Sequence, residues 1–136
     1  MEIREQAALS LWALGGQIKF QQRLVAECIG IPQIVTMLLS PSEKLQYVAL
    51  NAIIALTEED EHNQKRLYNE NILTPLFRLL KQYEQLSHRV LLMLIRVFGV
   101  LCIGTVELRH ILSCRSSFIR SKVWHLYQIR CYKMLS

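Results

Sequence analysis

With five glycines and three prolines in 136 residues, the chain has too few turn formers for a β-rich architecture of short strands. It also lacks the motifs that carry chemistry. There is no Gly-x-Ser-x-Gly elbow, no Gly-rich phosphate loop and no His-Glu-x-x-His. The four histidines are scattered, without a paired carboxylate in a fixed motif. No enzymatic activity, cofactor or small-molecule substrate is therefore expected. Cys28, Cys102, Cys114 and Cys131 stand at no metal or redox spacing. Cys28 and Cys102 fall in apolar helical runs, where a free cysteine behaves as a small hydrophobe. Glu2, Arg4 and Glu5 interrupt the start and no apolar leader follows. Together these features predict a reducing, cytoplasmic location. Excess charge is missing from most of the chain as well. Residues 1–104 hold ten basic and ten acidic side chains, whereas Arg109, Arg115, Arg120, Lys122, Arg130 and Lys133 face only Glu107 in residues 105–136.

What is present is apolar and periodic. Hydrophobic residues make up 51% of the chain, enough to bury a core. The segment Gln6–Leu14 is echoed by Val48–Leu56, and Ile31–Leu39 by Leu73–Leu80; Leu14 maps onto Leu56 and Pro32 onto Pro75, 42 and 43 residues on. An all-helical period of about 40–47 residues is the mark of stacked helical repeats. Apolar spacing predicts helices over Ile3–Leu14, Phe20–Cys28 and Ile31–Leu39. It predicts others from Glu43 through Leu56, over 63–70, over 74–83, and from Ser87 or His88 to about Gly104. Ile3–Leu14 should be mostly buried, and Leu24, Val25 and Cys28 should face inward. Ser40-Pro41-Ser42-Glu43 has capping-box spacing with Pro41 at the first helical position. In the next helix, Leu45, Val48, Ala49, Ala52, Ile53 and Leu56 form a stripe that asks to be buried. The recurring unit is a short helix, a Pro-led helix and a long helix. Neither end carries an evident polar cap, so apolar surface should be exposed at both ends.

These residues resemble the armadillo repeat family. Ala8-Leu-Ser-Leu-Trp12-Ala-Leu14 is similar to the family's third helix. Gln21–Gly30 followed by Ile31-Pro32 is similar to its first helix and the turn into the second, and Asn69–Leu80 is a looser copy. Within the family, Glu2–Leu14 and Met37–Ser42 point toward members in which armadillo and ankyrin repeats share a chain. The resemblance implies an all-α, right-handed armadillo-type α-solenoid segment of about two and a half repeats over 3–104. It further implies a non-enzymatic scaffold that binds a protein partner on its long-helix face, through Trp12, Asn51 and Glu58. Peptide-binding members line that face with Trp and Asn on each third helix. Here Trp12 is followed by Ile54 and Gly99 at the Trp position, and the Asn position holds Gly16, Glu58 and Ile103. The ladder is essentially absent, so a grip on extended peptide backbone of the usual family kind is not expected.

Other constellations weigh less. Glu58-Glu59-Asp60-Glu61 reads as a solvated connector that puts negative charge at the next helix start. His110, Cys114, His125 and Cys131 match no zinc spacing. Val90–Val106 is nearly continuous apolar sequence, but it is too short for a span and carries Arg96 at its centre, so a core helix is expected. In the basic tail, Trp124, Tyr127, Cys131 and Leu135 share one helical face. The tail is expected to be a capping or irregular helix over 105–136. The alternative gives it a membrane surface or an acidic partner. A further alternative makes the whole chain a structural spacer within a longer repeat protein. No nucleic-acid module is visible, and nucleic acid is not expected as a partner.

Overall fold

The computed structural model describes residues 3–104, with side chains as far as 101. Among them are seven α-helices and no strand: α1 (Ile3–Gly15), α2 (Lys19–Ile29), α3 (Ile31–Leu39), α4 (Glu43–Thr57), α5 (Glu61–Asn69), α6 (Leu73–Lys81) and α7 (His88–Gly104). The order short, Pro-containing, long occurs as α2–α3–α4 and again as α5–α6–α7. The starts Lys19 and Glu61, and likewise Ile31 and Leu73, are 42 residues apart. The long helices start at Glu43 and His88, 45 residues apart, because a 3₁₀ turn, Tyr83–Gln85, lengthens the second link. The basic tail, its aromatic face and its histidines and cysteines lie outside the described residues.

The helix α4 occupies the centre and packs against α7, α2 and α3, with further contacts to α1 and α5. All six residues of its expected stripe are buried, and Leu50 and Ile54 are buried with them. A helix so widely covered needs partners on several sides, which the recurring order supplies. In α7, Val90, Leu94, Val97, Phe98 and Leu101 are buried, and Phe98 meets Phe77 of α6 with ring centroids 5.6 Å apart. The described part of the apolar run is thus a core helix. No single helix among the described residues is long and apolar enough to cross a membrane.

Between α2 and α3 the chain turns by 87° in one residue, Gly30. Its amide donates to Ala26 O at 3.1 Å and its carbonyl accepts from the Ile34 amide at 3.1 Å. One helix closes where the next opens, and Pro32 falls in that opening turn, where an N–H is not needed.

A further device recurs. In α2 the Gln22 side-chain amide donates to Gly16 O at 2.9 Å, just past the end of α1. In α5 the Gln64 amide donates to Thr57 O at 2.7 Å and the Asn63 amide to Leu56 O at 3.0 Å, at the end of α4. The short helix therefore supplies donors to the orphan carbonyls of the long helix before it.

Three expectations need correction. The capping box does not form. Ser40 closes α3, its hydroxyl accepts from the Ser42 amide at 3.2 Å, and Ser42 is the N-cap of α4, so Pro41 precedes the helix. In α1 only Ala8 and Gly15 are buried, and Leu14 is 81% exposed. In α2 only Ala26 is buried; Cys28 and Leu24 are exposed and Val25 is half-buried. Ile3, Leu11, Leu14, Ile18, Phe20 and Leu24 form the exposed apolar surface expected at the N-terminal end.

The two short helices differ at their starts. Asp60 caps α5 by accepting from the Asn63 amide at 3.0 Å. Ile18, in the same place before α2, has no side chain able to cap. Ile18→Asp should raise the unfolding free energy by about 1 kcal/mol, read as a higher midpoint in urea denaturation. An unchanged or lower midpoint would show that α2 does not start where the capping argument needs it to.

Candidate functional site

Asn51 lies on α4 and Glu58 is its C-cap residue, seven positions further on. Both line a groove of about 290 Å³ between α2, α4 and α7. From α2 come Lys19, Phe20, Gln22 and Arg23; α4 adds Ile54 and Ala55 and α7 adds Arg96, with Glu59 at the connector. Trp12 is not part of the lining. It is half-buried on α1 and packs against the hydrophobic core. The structure thus brings two of the three expected residues together and leaves the third in the packing.

The polar chemistry of the groove centres on Glu58. Its carboxylate stands at the C-terminal end of α4, where the helix dipole disfavours a negative charge. Two cations offset this. Lys19 Nζ is 3.7 Å from one carboxylate oxygen and an Arg96 guanidinium nitrogen is 3.7 Å from the other. Both separations exceed ordinary hydrogen-bond length, so these are loose ion pairs. Asn51 is committed to its own helix, its amide donating to Tyr47 O at 2.8 Å.

Arg23 behaves differently from its neighbours. It binds the carboxylate of Asp60, and its Nε lies 3.8 Å from Glu27. Asp60 in turn caps α5, so this one carboxylate joins α2 to the second unit. The acidic run is therefore divided by role. Asp60 is structural, Glu58 is held by two cations, and Glu59 takes a left-handed backbone (φ 60°) that non-glycine residues adopt at a cost.

Sequence reasoning missed Lys19, Phe20 and Arg96. Lys19 and Arg23 stand at i and i+4, a visible hint of one charged face on α2. Arg96 offered no comparable signal, being a lone charge in an apolar run. A smaller hollow, about 160 Å³, lies between α3 and α6 and is lined by Leu38, Leu39, Pro41, Pro75 and Arg78 among others. Its lining adds only one charged group, and nothing about it favours a ligand.

Across 87 residues, 64% of its length, the chain is 40% identical to an ankyrin and armadillo repeat-containing protein of Mus musculus. The match spans only 6% of that protein. This relative is of the kind to which Glu2–Leu14 and Met37–Ser42 pointed. No family model matches the chain. No solved structure matches it either.

Proposed function

We propose that residues 3–104 are about two and a half armadillo-type repeats of a right-handed α-solenoid, and that they serve as a non-enzymatic scaffold binding a protein partner. The recurrence of helix order at 42 residues supports the repeat reading, as does the similarity to a protein described by its repeats. The observation that carries the binding reading is the groove between α2, α4 and α7, which sets Asn51 and Glu58 beside exposed cations and an exposed aromatic ring. Repeat arrays present such extended surfaces for partners and rarely do chemistry. A cytoplasmic location belongs to this reading and rests on the cysteine spacing. Trp12 then contributes by holding α1 against the core rather than by touching the partner.

The test places a photo-crosslinking phenylalanine at Asn51 in the full chain, with Arg66, exposed on α5 away from the groove, as the comparison site. A discrete adduct from position 51 and none from position 66 is expected. The protein captured should then bind the purified chain, and Ala55→Trp, which fills the groove without altering its charge, should weaken that binding about tenfold. Equal labelling from both positions, or none from 51, would remove the groove as the binding surface.

A further inference from the structure

Resting on the groove as the partner surface, we propose that it receives an acidic segment of a partner protein, in which a carboxylate side chain stands next to an apolar one. The argument starts from where the charges sit. Lys19, Arg23 and Arg96 line the groove against Glu58 and Glu59. Arg23 is already engaged by Asp60 and Glu27. Lys19 and Arg96 are not engaged in that way. Their side chains are 82% and 55% exposed, and among the described residues each pairs with no acid but Glu58, at 3.7 Å. The side chain of Glu58 itself is 35% exposed. The acid therefore lies deeper and the cations stand nearer the solvent.

An ammonium has three donors and a guanidinium five. One carboxylate beyond hydrogen-bond length satisfies few of them, which leaves donors for a second acceptor. Each cation stands 3.7 Å from an oxygen of the same carboxylate, so both lie around one point of the groove, where a second carboxylate arriving from the solvent side would meet either of them. Phe20 adjoins Lys19 and is 70% exposed, while Ile54 and Ala55 form the apolar wall of α4. An apolar side chain laid there would cover the ring and exclude water from the charge pair, which strengthens it. Glu59 opposes an acidic partner at its end of the groove and sets the direction in which the segment's acids must lie. A nucleic acid fits less well. Its successive phosphates would run past Glu59, Asp60 and Glu61, and among the described residues lining the groove only Lys19 and Arg96 could receive them.

The experiment uses the full chain and a fluorescein-labelled dodecapeptide of three Asp-Phe-Glu-Leu units, read by fluorescence anisotropy. Three comparison probes are the same peptide with Asn and Gln for the acids, the same peptide with Lys for the acids, and a single-stranded DNA dodecamer. The acidic peptide should bind about tenfold more tightly than its neutral counterpart and lose affinity as salt rises. Joint Lys19→Gln and Arg96→Gln substitution should weaken it about fivefold or more. Glu58→Gln should tighten it about threefold, because the competing carboxylate is gone. A preference for the Lys peptide, weakened by Glu58→Gln, would overturn the acidic segment while leaving the groove as the partner surface. Equal binding of DNA with the same response to the variants would overturn the choice of a protein partner. No binding by any probe, with no adduct from position 51, would take the groove reading down as well. Melting of each variant by circular dichroism identifies any that fails to fold, and the joint substitution on the exposed cations tests the proposal independently of Glu58.

Discussion

Leu50→Ala is expected to lower the unfolding free energy by about 3 kcal/mol. Leu50 is fully buried on α4, and α4 is the helix that α2, α3 and α7 all pack against. Truncation there removes apolar contact and leaves a cavity among several helices, so no single neighbour can move in to close it. Urea denaturation followed by far-ultraviolet circular dichroism measures the loss. Leu14→Ala is the matched comparison. Leu14 lies on α1 and is 81% exposed, so its truncation should change stability by less than about 0.5 kcal/mol. If the two variants cost the same, α4 is not the centre of the packing.

The second large effect is at Gly30. Its φ of 85° and ψ of 150° lie in a region that is essentially closed to residues bearing an L-configured Cβ. Space is not the obstacle, since the nearest atom a Cβ would meet is the Pro32 Cδ at 3.9 Å. The cost is in the backbone. Gly30→Ala should destabilise the chain by about 2 kcal/mol, because relaxing φ would swing α3 away from its 87° angle to α2. A semisynthetic chain with D-alanine at position 30 should recover most of the loss, since its mirror-image preference allows a positive φ. An L-alanine variant as stable as the parent would mean that the α2–α3 junction adjusts freely and does not set the angle.

Much of the fold was legible because α4 and α7 show their periodicity without interruption. Leu45, Val48, Ala49, Ala52, Ile53 and Leu56 sit at i, i+3 and i+4 positions, and every one of these six is buried. Pro32 and Gly30 marked the α2–α3 boundary by chemistry that acts within a few residues. Burial in α1 and α2 was not legible. An apolar stripe states which face a helix would bury, and says nothing about whether a neighbour is there to cover it. That is why Leu24 and Cys28 stand exposed on an otherwise correctly placed helix. The capping spacing at Ser40 misled for a related reason, since Ser40 was already committed to ending α3.

The candidate site divides along the same line. Asn51 on α4 and Glu58 at its C-cap belong to one continuous segment, and their seven-residue spacing shows it in the sequence. Lys19 and Arg96 reach Glu58 only through packing, from positions on two other helices. Gln22 and Gln64 stand 42 residues apart, the same offset as the starts of α2 and α5. Their meaning as donors to the preceding helix end needed the three-dimensional arrangement.

The helix pairs that pack most closely, such as α4 with α7, α2 with α4 and α3 with α6, join elements no more than three apart in chain order. Loop closure before such contacts form is therefore short, and its entropic penalty is small. A chain arranged in this way can acquire structure by accretion, each unit condensing on the one already formed. Its folding limb should be fast, in the microsecond-to-millisecond range of low-contact-order helical domains. The same locality means that α4, touching both units, is where the two halves become one cooperative transition, and weakening it should let them melt apart.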